Sequence, residues 1–144
     1  MGRHSCLHRR SIPGLVEAFA GVVNDSPNDG NAGQWVAWLE SNGTKIAATE
    51  LYYGKPNGGT TPIWNAYNAL TPISDSTQNR QLAAYTAELA ASNPYGLRES
   101  YHGLTALADE SLSVLVKDIF YQALPATANV TGANPVLIYQ VSRC

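Results

Sequence analysis

The sequence predicts an α+β fold, an antiparallel sheet of about four strands with helices packed on one face. Three observations lead there. Two strand-like runs, 34–40 and 44–53, are joined by Ser41-Asn42-Gly43, and Asn-Gly supplies the positive φ that a tight hairpin needs. Asp109 precedes Leu112, Leu115, Val116, Ile119 and Phe120, which recur at helical spacing behind a capping residue. Residues 135–142 hold Val136, Leu137, Ile138, Tyr139 and Val141, a short apolar run that reads as a buried final strand. A hairpin next to separate amphipathic helices favours an antiparallel sheet backed by helices.

The other elements follow in chain order. Ser11 can cap a helix reaching Val23, with Pro13 in its first turn and Leu15, Val16, Phe19, Val22 and Val23 on one face. Residues 24–33, N-D-S-P-N-D-G-N-A-G, are a turn-rich stop. After the hairpin, 54–61 is a loop with Pro56, Gly58 and Gly59. Thr61-Pro62 then starts a short helix marked by Ile63, Trp64, Tyr67 and Leu70, which Pro72 ends. Ser76 can cap the next helix, with Leu82, Tyr85, Thr86 and Leu89 on one face, and Asn93-Pro94 breaks it. Residues 96–107 read as a third strand, and Leu124-Pro125 ends the helix that Asp109 begins.

The chain has 144 residues, enough for one domain with its own core. A net charge of -2 points to neither an acidic nor a basic partner, and no basic stripe interleaved with aromatics suggests nucleic acid. No apolar run reaches the roughly 20 residues that span a bilayer. Residues 1–10, M-G-R-H-S-C-L-H-R-R, are basic and lack the apolar core of a signal peptide, so they read as a disordered tail or a misplaced start. Residues 11–144 form the domain. Cys6 and Cys144 stand at opposite ends and do not make a disulfide framework. Asn24, Asn42 and Asn129 each begin an N-x-[ST] triplet that could accept a glycan in a secreted protein.

Chemistry has few places to reside. His4, Cys6 and His8 make H-x-C-x-H, one cluster where a structural zinc site needs four ligands, so no metal is expected. No hydrolase motif occurs. The glycines of 54–59 lack the strand-to-helix setting and the lysine spacing of a phosphate loop. The polar strand is the interesting one. In 96–107, Arg98, Ser100 and His102 alternate with Leu97, Glu99, Tyr101 and Gly103, and at period two the two sets face opposite sides. Glu50 and Tyr52 share a face of the second hairpin strand. A cavity wall of Glu50, Tyr52, Glu99 and Tyr101 would suit proton abstraction from a substrate hydroxyl, or its orientation. The plainer reading makes Arg98 and Glu99 solvated or paired charges and leaves the tyrosines to packing. Trp35 and Trp38 point to opposite faces, and at least one belongs to the core.

Across 51–101 the chain runs through L-Y-Y-G-K-P, T-P-I-W-N-A-Y, L-T-P-I-S-D-S-T and N-P-Y-G-L-R-E-S-Y. Y-Y-G-K-P, P-I-S-D-S-T and N-P-x-G-x-R-E-x-Y in this order resemble the substrate domain of fungal FAD-linked oxidases of the berberine-bridge-like, vanillyl-alcohol-oxidase type. The resemblance extends from Leu15 to Ser142. It implies an antiparallel sheet backed by helices, with the open sheet face set over the flavin of a separate FAD-binding domain. It implies hydride transfer to FAD from an alcohol, sugar or alkaloid-like substrate, and secretion. No glycine-rich cofactor turn and no Arg-Ser-Gly-Gly-His-like flavin-attachment segment accompany it. The resemblance therefore implies a substrate-binding half that binds no FAD alone and does not turn over alone. The alternative is a non-catalytic α+β binding or interaction module, which could dimerise through its open sheet face.

Overall fold

A computed structural model describes residues 2–8, 12–91 and 95–140. The fold is α+β. Its antiparallel sheet contains β1 (Gly2–His8), β2 (Ala32–Ser41), β3 (Thr44–Tyr53), β4 (Ser74–Asp75) and β5 (Leu137–Gln140), ordered β4-β1-β3-β2-β5. The helices are α1 (Ile12–Asp25), α2 (Asn65–Asn68), α3 (Leu82–Ala91) and α4 (Glu110–Ala123).

β2 and β3 pair throughout, from Ala32↔Tyr53 to Ser41↔Thr44. Their turn has Asn42 at φ 50° and Gly43 at φ 74°, the double left-handed step that favours this dipeptide and matches strand twist. The register sets Gln34, Val36 and Trp38 beside Leu51, Thr49 and Ala47. These six residues are buried on one face, where the apolar stripe of α1 meets them through Leu15, Val16, Phe19 and Val22. Trp64 and Tyr67 of the α2 region and Tyr121 and Leu124 near the end of α4 complete the same core. A polar link crosses it. Gln34 donates to the Phe19 carbonyl at 2.8 Å and accepts from the Tyr67 hydroxyl at 2.6 Å, so β2, α1 and α2 share one satisfied buried amide.

Asp109 caps α4 as expected, its carboxyl accepting from the Leu112 amide at 3.0 Å. Tyr121 donates to the Ile46 carbonyl at 3.1 Å, and Tyr139 of β5 donates to the Ser113 carbonyl at 3.1 Å. These bonds seat α4 against β3 and the edge strand β5.

Four expectations are corrected. Residues 96–107 form no strand: 95–109 is irregular and exposed. Alternation alone does not make a strand, because a ladder needs a partner, and this segment pairs with none of the described strands. The tail expected to be disordered contributes β1 over Gly2–His8, which pairs with β3 from Gly2↔Tyr52 to His8↔Ile46. Backbone pairing asks little of side-chain pattern, so a polar segment can enter the sheet. The helix assigned to a Ser76 cap begins only at Leu82, because Ser74 and Asp75 pair with β1 and Asp75 then accepts the Thr77 amide in a local turn. β5 alternates half-buried and exposed residues instead of being buried, since it forms the edge of the sheet. The Ser11 cap, the Asn93-Pro94 break, the last residues of the final strand and Cys144 lie outside the described residues.

Candidate functional site

The second face of the sheet carries Trp35 and Ala37 on β2 and Ala48, Glu50 and Tyr52 on β3, by strand alternation. Here α3 approaches. Glu50 is only 2% exposed, and its carboxyl accepts a hydrogen bond from the hydroxyl of Tyr85 on α3. Burial first, and the Glu50 bond second, raise the Tyr85 phenol above its ordinary value of 10.0. At neutral pH Tyr85 therefore keeps its proton and donates it as a hydrogen bond to Glu50. Its oxygen keeps lone pairs free to accept from a ligand hydroxyl.

Beside this pair opens a cleft of about 420 Å³. One wall is the end of β3 and its following loop, with Tyr52, Gly54, Lys55 and Pro56. The other is the start of α3, with Arg80, Gln81, Leu82 and Tyr85. Two bonds tie the walls together. Asn79 accepts from the Asn57 amide at 3.0 Å and donates to the Asn57 side chain at 2.7 Å. Asn57 sits at φ 57°, a left-handed position that asparagine tolerates. Arg80 lies against the ring of Tyr85, with its guanidinium carbon 5.7 Å from the centroid.

Of the residues singled out in the sequence, Glu50 and Tyr52 lie where alternation put them, on one face of β3. Tyr52 is 40% exposed at the cleft. Glu99 and Tyr101 do not join them. They belong to the irregular segment, where Tyr101 is 81% exposed and donates to Glu99 at 2.9 Å, and neither lines the cleft. Of the four residues only Tyr52 lines the cleft; Glu50 is buried behind it on the Tyr85 hydroxyl, and Tyr85 and Arg80 line the cleft where Glu99 and Tyr101 do not. Sequence reasoning assigned Tyr85 only to a helix face. Its partner lies 35 positions away, and no local pattern signals such a contact.

The residues of the 54–59 loop do not fit a flavin phosphate cradle. Gly58 is buried against Tyr53, and a Cβ there would overlap the Tyr53 ring. Its lack of a side chain thus serves this packing and not the approach of a phosphate. The side chains of His4, Cys6 and His8 lie outside the described residues; their strand pairs with Glu50, Ala48 and Ile46 of β3 in register. Among the described residues no helix is long and apolar enough to cross a membrane. Compared with known protein families, with curated proteins and with solved structures, the chain matches none.

Proposed function

We propose that the chain is the substrate-binding half of a FAD-dependent oxidoreductase that oxidises an alcohol, sugar or alkaloid-like substrate. The observation that carries this reading is the asymmetry of the sheet. One face is filled by α1, α2 and α4. The other presents the buried Glu50, the half-exposed Tyr52 and an open cleft, with α3 burying none of its residues. Such a face suits a lid over a reacting molecule. Tyr52 and Tyr85 offer phenol oxygens to a substrate hydroxyl, and Glu50 fixes the direction of the Tyr85 proton. In this reading FAD supplies the hydride acceptor from a separate FAD-binding domain.

The exposed aromatic and aliphatic residues of 95–109 support the same reading. Tyr95, Leu97, Tyr101, Leu104 and Leu107 face water, which suits a segment covered by a partner domain. A second reading, a non-catalytic binding or interaction module that dimerises through its open sheet face, draws on the cleft-bearing face that α3 leaves partly uncovered.

Two measurements test the proposal. Sequencing of the full transcript should reveal a reading frame that continues upstream into a glycine-rich FAD-binding region. The chain expressed alone with excess FAD should retain no flavin absorbance after gel filtration. A yellow isolated chain would overturn the assignment of the cofactor to another domain. A monodisperse dimer, with no flavin region in the transcript, would select the second reading.

A further inference from the structure

The cleft beside Glu50 carries a charge signature that its phenols do not explain. Lys55 lines one wall and Arg80 the other, and no carboxyl group lines it among the described residues. Arg80 is held in place. Its side chain is 8% exposed, one terminal nitrogen pairs with Glu88, and the other donates to the Ser76 carbonyl at 2.7 Å. Its Nε is buried and meets no acceptor among the described residues. A buried donor without an acceptor is costly, and a shift of the Arg80 side chain towards a ligand oxygen in the cleft would relieve it. The same wall includes Gln81 and Leu82, where α3 begins. The first amides of a helix lack partners within the helix and form its positive end. Glu88 offsets part of the Arg80 charge from outside the cleft, which leaves Lys55 as the main cation facing an incoming group.

We infer that the cleft takes a small organic acid. Its carboxylate lies between Lys55 and the Arg80 end of α3, and its carbon skeleton rests against Tyr52 and Tyr85. This inference rests on the reading of the cleft as the substrate site, and narrows the substrate to one bearing an anionic group.

Amide NMR titration of the whole chain tests it, with benzoate, benzyl alcohol and inorganic phosphate as probes. Benzoate should bind saturably and shift the amides of Lys55 and Leu82. Lys55→Met, in an exposed loop position, should weaken benzoate about tenfold and leave benzyl alcohol unchanged. Arg80→Lys, checked for folding by circular dichroism, should also weaken benzoate. If benzyl alcohol binds as well as benzoate and Lys55→Met changes nothing, the anionic substrate is overturned while the substrate cleft stands. If phosphate matches benzoate, the site reads charge alone and the organic acid is overturned. If neither benzoate nor benzyl alcohol saturates, the inference and the substrate-site reading fall together.

Discussion

Gly58 carries the clearest consequence at the scale of a single residue. The Tyr53 ring packs where a side chain at Gly58 would lie, and the Tyr53 hydroxyl reaches Asp29 at 3.0 Å. Gly58→Ala must displace that ring. We expect a loss of roughly 1–3 kcal/mol of stability, the usual cost of overpacking, measured by urea denaturation. The tyrosines set a second expectation. Burial pushes Tyr121 and Tyr139 up to about 12, from an ordinary 10.0, and it raises Tyr67 and Tyr85 as well. A phenol with a raised folded-state pKa binds its proton more tightly in the native chain than in the unfolded one. Its contribution is fully present below pH 10 and is lost as the pH climbs towards 12. Unfolding free energy followed against pH should therefore be level just below 10 and fall above it, together with the appearance of tyrosinate absorbance. A decline beginning well below pH 10 would mean that these phenols are not buried as described.

At the scale of elements, the link through Gln34 joins three of them. β2 supplies the amide, α1 the Phe19 carbonyl and α2 the Tyr67 hydroxyl. Gln34→Leu keeps much of the shape and removes both bonds, leaving a buried hydroxyl and a buried carbonyl without this partner. It should destabilise the chain by roughly 2–4 kcal/mol, read from the denaturation midpoint. Removing both polar ends with Gln34→Leu plus Tyr67→Phe should recover part of that loss, because fewer buried groups remain unsatisfied. Gln34 also shows why a strand legible in the sequence can conceal its most specific contact. In the structure period two puts its side chain on the face of Val36 and Trp38, and nothing nearby in sequence names Phe19 or Tyr67 as its partners. The hairpin and α4 were legible for the opposite reason. Asn42-Gly43 and Asp109 act within a few residues of themselves, through backbone dihedrals and a cap.

For the whole molecule, the exposed apolar surface is the governing feature. Leu104 and Leu107 are almost fully exposed, and Leu115, Ile119 and Ile138 are more than half exposed. A chain that needs a partner domain should self-associate and bind a hydrophobic dye when isolated. Leu104→Ser plus Leu107→Ser should reduce both, seen by light scattering and dye fluorescence. It should leave the unfolding free energy within about 0.5 kcal/mol, because these side chains bury little in the folded chain. A large loss of stability instead would mean that 95–109 packs against the domain in solution.

By itself the sequence determined the α+β class, the hairpin and its turn, the capped α4, the buried stripe of α1 and the shared face of Glu50 and Tyr52. Each depends on dihedral preference, capping or periodicity, which act over a few residues. Tertiary structure decided which polar segment enters the sheet. It seated β1 against β3 and left 96–107 without a ladder, although the second has the stronger strand pattern. It also brought Tyr85 and Arg80 to the cleft in place of Glu99 and Tyr101. Strand pairing depends on which sheet edge is open and within reach. A buried hydrogen bond depends on which helix crosses that face. Both are properties of the assembled chain.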